Sequence, residues 1–410
     1  MIKFLHTADI HLGKVFYEQS LADDQAAVLQ QLAEILKDDS YSALVIAGDI
    51  YDRSIPSPEA VELFGSFLAT IKRRTPSLEV LVISGNHDSA SRLGFGRELF
   101  ARLGIRFGVE PSDCDKPVIV EKYEERCAFF LLPFLHAGAL ERDGESSPLR
   151  SLPDLAEEAG RRIQKVQRDL EGSIAYSVLV SHLFASGGTE AGSERVFLGS
   201  AELVNLPVLG SFDYIALGHL HRCQRIGDTA WYSGSPLAYS FNEASSSNNN
   251  AKCFLSVELE GGKASVRQIP IKPLRNVTSL SVPFARFTAA TLDSEVLDAQ
   301  DDYLELCLTD RGITENALEI LRRRFPHLLS LRQDTARAGL SSSLNALDQA
   351  ENQTEDNDNA RGLSERRNVS SDFKNFLTAL YGEANTEELA DEGKLFDTLL
   401  AEVEAEEQTQ

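Results

Sequence analysis

The chain has 410 residues, 42% of them hydrophobic, and a formal net charge of −23. Five scattered cysteines with no C-x-x-C pair argue against a disulfide framework or a thiolate zinc site, and fit a reducing compartment. No apolar run approaches a membrane span, and His6 and Asp9 arrive too early for a signal peptide, so the expectation is a cytoplasmic protein with no membrane partner.

The acidic balance speaks at first against a nucleic-acid partner. Its distribution softens that. Residues 341–410 hold 17 Asp and Glu against 5 Lys and Arg, about half of the whole excess. The body keeps basic clusters at Lys72-Arg73-Arg74, from Arg92 to Arg106, and at Arg322-Arg323-Arg324. Each cluster alone reads as a solvated helix face. Net charge therefore does not decide the partner.

In chain order, Ile2 to Leu5 reads as a first strand that ends in Thr7-Ala8-Asp9-Ile10-His11-Leu12-Gly13. Val28, Leu32, Ile35 and Leu36 then fall on one helix face. Leu44 to Ala47 is a strand that breaks at Gly48 and delivers Asp49 and Asp52. Ser57-Pro58-Glu59 is a helix start, with Ser as N-cap and Pro at the first helical position. Val80 to Ile83 is a strand ending in Gly85-Asn86-His87-Asp88. This strand–helix alternation implies a sheet that is at least partly parallel.

Ala128 to Leu132 reads as a core strand and residues 152–170 as an amphipathic helix. Ser177 to Val180 ends in Ser181-His182, and Tyr214 to Leu217 ends in Gly218-His219-Leu220-His221. Cys253 to Glu258 is a strand that enters a hairpin turn at Gly261-Gly262. Domain expectations follow. Residues 1–270 form the main domain and 271–337 a small α/β domain. Residues 338–370, poor in large apolar side chains, are a flexible linker. Within 371–408, Phe373, Phe376, Leu377 and Leu380, then Leu395, Leu399 and Val403, are spaced as two amphipathic helices suited to docking a partner.

Five strand ends thus offer Asp9, His11, Asp49, Asn86, His182, His219 and His221. Carboxylate, imidazole and amide oxygen suit manganese, iron or zinc. Seven ligands exceed one four-coordinate ion and suit two ions about 4 Å apart that share a carboxylate, each of its oxygens holding one metal. Such a pair performs in-line displacement at phosphorus. His87 is a candidate proton donor if a carboxylate orients it, and Asp52 is the candidate carboxylate. His6, His136 and His327 are read as structural.

The series Asp9-x-His11, Gly48-Asp49-x-x-Asp52, Gly85-Asn86-His87-Asp88, His182 and Gly218-His219-x-His221 resembles the calcineurin-like metallophosphoesterase superfamily. Asn86-His87-Asp88-Ser89 and Gly234-Ser235-Pro236-Leu237-Ala238-Tyr239-Ser240-Phe241 look most like its double-strand-break repair nucleases. The resemblance covers about residues 1–335. It implies an α/β fold, a four-layer αββα sandwich, followed by a capping domain over 271–337 and C-terminal helices that dock an ATPase. It implies two divalent ions, Mn2+ by family habit. Asp9, His11, Asp49 and His221 would hold the first ion, and Asp49, Asn86, His182 and His219 the second. His87 would be the acid, oriented by Asp52. The family acts on double-stranded and hairpin DNA, as a 3′–5′ exonuclease and an endonuclease. It works as a homodimer within a 2:2 heterotetramer with an SMC-like ATPase, at the nucleoid. The polar run Ser245 to Asn250 and the long acidic linker depart from the family pattern.

Two other readings compete: a phosphoprotein or small-molecule phosphatase with the same metals, and a catalytically dead scaffold that binds the ATPase. Gly85-Asn86-His87-Asp88, and Leu12 between His11 and Gly13, speak against the phosphatase. The full set of ligands speaks against the scaffold.

Overall fold

The structure, a computed structural model, describes residues 1–38, 40–142, 147–191, 203–243, 251–310, 316–333 and 396. The polar run at 245–250, the linker at 338–370 and, Phe396 apart, the expected helices in 371–408 lie outside the described residues.

Two six-stranded sheets make up most of the molecule. The first has the order Lys263–Pro270, Cys253–Glu260, Ile2–Thr7, Ala43–Ala47, Glu79–Ile83, Ile105–Gly108. Its last four strands run parallel, in the register Thr7 to Ile46 and Ala47 to Ile83. The second has the order Gln224–Ile226, Ala230–Tyr232, Tyr214–Gly218, Tyr176–His182, Glu125–Leu132, Val118–Lys122. Its four central strands are parallel, and Gly218 stands opposite His182.

The alternation of side chains along these strands builds the layers. Phe4, Val45, Leu81, Phe129, Val178 and Tyr214 point into one core shared by the two sheets. The ring of Phe4 meets Phe129 edge-on at 5.3 Å and Tyr214 at 5.5 Å. Their neighbours Leu5, Leu44 and Ile46 face outward, against Val28 and Leu32 of the helix Ala22–Ile35 and Phe64 and Phe67 of the helix Pro58–Arg74. On the opposite outer face, Phe130, Leu179 and Ile215 pack with Leu155 and Ile163 of the helix Leu152–Asp169. Helix, sheet, sheet, helix is the expected four-layer αββα sandwich. Strands buried on both faces explain why their sequences read as unbroken apolar runs. Ser57 caps its helix as expected, accepting from the Ala60 N–H at 3.3 Å, with Pro58 as first residue.

The basic cluster from Arg92 to Arg106 does not lie on one continuous helix: short helices at Ala90–Leu93 and Arg97–Ala101 are separated at Gly96, whose φ is +72°. A left-handed residue ends a helix, and Gly takes that conformation without a Cβ clash.

Past residue 271 three strands follow, Val277–Val282, Tyr303–Leu308 and Leu328–Gln333, with a helix at Ala317–Arg322. The chain divides into two compact units, one of Met1–Leu280, Ala290–Leu306 and Leu318–Ser330, the other of Ser281–Ala289, Cys307–Ala317 and Leu331–Gln410. In the second, the Phe284 N–H donates to Asp310 Oδ2 at 2.7 Å, and Gln333 Nε2 donates to the Asp310 carbonyl at 3.1 Å. Among the described residues, no helix is long and apolar enough to cross a membrane.

Candidate metal centre

The carboxyl ends of the parallel strands of both sheets open on one cluster. The loops after Thr7 and Ala47 run side by side because the ladder continues past the strands. The Asp9 N–H donates to the Gly48 carbonyl at 3.0 Å, His11 to Asp49 at 3.0 Å and Leu12 to Ile50 at 2.8 Å. Asp9, His11, Asp49 and His219 adopt positive φ of 53°, 49°, 49° and 107°. Non-glycine residues rarely do so, and such conformations gather at functional sites.

Glycines precede three of the candidate ligands for a steric reason. A Cβ on Gly48 would lie 2.3 Å from His182 Nδ1, one on Gly85 would lie 2.0 Å from Asp49 Oδ1, and one on Gly218 would lie 1.9 Å from the Ala47 carbonyl oxygen. The chain passes too close to the ligands for any side chain.

All seven candidate ligands come together. Asp49 Oδ2 lies 3.7 Å from His11 Nε2 and 3.5 Å from His182 Nε2, so one oxygen faces imidazoles on both sides. Its Oδ1 accepts from the His87 N–H at 2.9 Å. The sequence reading assigned each oxygen to a different ion. The structure instead turns Oδ2 to both sides, because Oδ1 is engaged by backbone. Asn86 Oδ1 lies 2.9 Å from His182 Nε2 and 3.2 Å from His219 Nδ1. His11 Nε2 and His221 Nε2 are 3.2 Å apart. Asp9 accepts from the His219 N–H at 3.0 Å. Among the described residues, Asp9–His11–His221, Asp9–Asp49–His182 and His11–Asp52–His87 form groups whose potential ligand atoms lie within 4.8 Å of one another.

This donor set fits divalent cations. Asp9, His11, Asp49, His182 and His221 are all 3% exposed or less. Burial lowers the pKa of His11 and His182 and takes His219 down to about 3, so these rings are neutral, the form that ligates metal. His11 Nδ1 is buried without a hydrogen-bond partner. Neutral imidazole nitrogens facing one another and a carboxylate oxygen leave a demand that a cation meets.

The orienting role of Asp52 needs correction. The His87 Nδ1–H donates to the Asp52 backbone carbonyl at 2.8 Å. The Asp52 carboxylate turns instead to Lys14 Nζ at 2.8 Å and lies 3.7 Å from His11 Nδ1. An ammonium in reach outcompetes a second-choice imidazole contact, and the carbonyl is left to serve His87. Of the histidines read as structural, His6 is buried against the Tyr214 hydroxyl at 3.0 Å, and His327 meets Arg275 Nε at 3.1 Å.

Residues outside the candidate ligand set support the site. The Asp88 carboxylate accepts from the N–H groups of Ile50, Tyr51 and Gly85 at 3.0 to 3.1 Å, which clamps the Asp49 loop to the Asn86 loop. Burial, then the neighbouring Asp49, push its pKa up to about 7. Gln25 Nε2 donates to the His11 carbonyl at 2.7 Å, and its Oε1 accepts from the Gly13 N–H at 3.0 Å. Glu243 stands behind His221, at 3.5 Å from Nδ1. Burial alone would raise its pKa; Lys252 and His221 more than offset that and hold it below the ordinary carboxylate range. Asp88 closes the Gly85-Asn86-His87-Asp88 motif, whereas Gln25 and Glu243 lie in none of the quoted motifs, and only the folded chain shows what they touch.

The close approach at Gly85 generates a prediction. Gly85→Ala should displace Asp49 Oδ1, abolish tight divalent-metal binding and cost about 1–3 kcal/mol of overpacking strain. Metal titration and thermal unfolding in chelator check both; wild-type metal affinity would contradict it.

A family model described as calcineurin-like phosphoesterase matches residues 2–223, a span that holds all seven candidate ligands. The chain is 29% identical over 336 residues to the D subunit of the SbcCD nuclease of Staphylococcus saprophyticus, covering 82% of this chain and 85% of that protein. A dimetal phosphatase from Danio rerio is 13% identical, with a TM-score of 0.42, over 66% of this chain and 96% of its own. A Thermus thermophilus protein is 10% identical, with a TM-score of 0.38, over 65% of this chain and 98% of its own. The likeness to the SbcCD nuclease subunit thus extends over most of the sequence, and the chain belongs to the calcineurin-like phosphoesterase family.

Proposed function

We propose that this chain is the nuclease component of an SbcCD-type complex, a two-metal phosphodiesterase acting on DNA. One observation carries the reading: a single buried carboxylate oxygen, Asp49 Oδ2, faces imidazoles on two sides, His11 and His182. The residues fit a pair of ions, Mn2+ by the family's habit. Asp9, His11, Asp49 and His221 would hold one; Asp49, Asn86, His182 and His219 would hold the other. When bound, the ions supply neutralisation of phosphate charge and an acidified water for in-line attack.

The chain's own residues do the rest. Asp52 positions His87 through its backbone carbonyl, which fixes the Nδ1 proton, so that the doubly protonated ring gives its Nε2 proton to the departing alkoxide and is left neutral with Nδ1–H still donating to the carbonyl. The ring of His87 stands edge-on to His11 at 4.7 Å, which keeps that nitrogen beside the metal cluster. Lys14 satisfies the Asp52 carboxylate, so the carboxylate does not compete for the His87 proton.

The wider assembly belongs to the same proposal. Residues 1–270 form the nuclease domain and 271–337 the capping domain. Residues 338–370 are a linker, and the helices in 371–408 dock an SbcC-type SMC-like ATPase. The activities are 3′–5′ exonuclease on duplex ends and endonuclease on single strands and hairpins, in the nucleoid-associated cytoplasm. A second copy of the chain covers the apolar face on the helices near residue 95. There Phe95, Leu99 and Leu103 are 83%, 69% and 59% exposed, and Val61 of the preceding helix is 47% exposed. Large side chains so exposed are costly to leave in water.

Two predictions test these statements. With Mn2+, the wild-type chain together with its ATPase should cleave hairpin DNA. His87→Ala should slow cleavage by about 10²–10⁴-fold while still binding metal. Asp49→Ala should lose both metal and cleavage. Turnover of a phosphopeptide without DNA cleavage would favour a phosphatase of the same superfamily. Leu99→Glu should shift the chain from dimer to monomer in sedimentation; an unchanged mass would reject the face.

A further inference from the structure

Behind the metal cluster lies a buried ion pair with no ligand role. Glu243 is 2% exposed, and the Lys252 side chain is 15% exposed. Glu243 Oε2 pairs with Lys252 Nζ. The carboxylate also accepts from the Tyr239 N–H at 3.2 Å and the Ser235 hydroxyl at 3.4 Å. Lys252 Nζ donates further, to Ser235 Oγ at 2.8 Å and to the His221 backbone carbonyl at 3.0 Å. Taking such a pair out of water costs several kcal/mol per ion, and apolar residues of the same volume often serve stability as well or better. Stability alone is a poor reason to keep it.

Its surroundings supply a better one. The two ring nitrogens of His221 face different groups. Nε2 lies 3.2 Å from His11 Nε2, inside the candidate ligand cluster. Nδ1 faces Glu243 Oε1 at 3.5 Å. A ring nitrogen turned to a carboxylate carries the proton, which leaves the other as a lone pair for a cation. The pair therefore grips His221 twice, at the ring through Glu243 and at the backbone through Lys252. His182 is held differently: its Nδ1 faces the Ala47 carbonyl at 2.9 Å. A carboxylate polarises an imidazole more strongly than a carbonyl does.

We infer that Glu243 and Lys252 are positioning residues for the metal centre: Glu243 sets His221 in the tautomer that offers Nε2, and Lys252 locks both Glu243 and the His221 backbone. The inference rests on reading His221 as a metal ligand. Lys252 immediately precedes the strand Cys253–Glu260, which lies beside Ile2–Thr7 in the first sheet. A residue just before a strand of one sheet thus sets a ligand that follows a strand of the other.

The test is Mn2+ titration calorimetry on the full chain, with unfolding midpoints measured in chelator. Four proteins are compared: wild type, Glu243→Gln, the double variant Glu243→Met/Lys252→Met, and His221→Ala. The double variant removes both charges, so it leaves no unpaired ammonium and should fold with near-normal stability. It should bind one Mn2+ about 10–100-fold more weakly than wild type. Glu243→Gln, which keeps an acceptor, should fall between the two. Wild-type affinity in both Glu243 variants, with a binding site lost in His221→Ala, would overturn the inference. Lower stability in chelator with unchanged affinity would also overturn it, by showing a purely structural pair. If His221→Ala binds Mn2+ as wild type does, the ligand reading itself fails and the inference falls with it.

Discussion

The constraint on which the structure depends is the placing of a buried Asp49 oxygen between His11 and His182. Burying carboxylates and imidazoles together is costly unless each polar atom is matched. The surroundings answer that cost locally. Backbone N–H groups hold Asp9 and Asp49, the ladder between the first two loops runs on past the strands, and glycines let the backbone come within van der Waals contact of the ligands. The result is a set of neutral nitrogen and anionic oxygen donors brought together, which is the chemistry of a cation site.

The two sheets divide the ligands between them. The first contributes the oxygen donors Asp9, Asp49 and Asn86, together with His11. The second contributes His182, His219 and His221. Neither sheet alone holds a complete set. Ions bound across the seam would tie the sheets together, so metal binding and the stability of the sandwich are linked. The shared apolar core of Phe4, Phe129 and Tyr214 provides the rigid spacing that this requires.

Much of this was legible in the sequence because it is local. An apolar strand followed by Gly and a metal-binding residue is a short pattern, and here it recurs at Gly48-Asp49, Gly85-Asn86 and Gly218-His219. The strands themselves were legible as apolar runs, since both faces are buried. What was not legible depends on atoms rather than residue types. Asp52 meets His87 with its carbonyl, which every residue possesses, so residue types do not reveal which group makes that contact. The Glu243–Lys252 pair behind His221 joins parts of the chain whose proximity no spacing reveals. The basic cluster from Arg92 to Arg106 reads as a helix face, while Gly96 breaks the helix.

In the proposed centre, Asp49 would help to hold both ions. Electron paramagnetic resonance of the Mn2+-loaded wild-type chain tests it without reference to any substrate. Two ions bridged by one carboxylate should give two Mn2+ per chain and the multiline signal of an exchange-coupled pair. A single bound ion, or two with the six-line spectra of isolated Mn2+, would contradict the account.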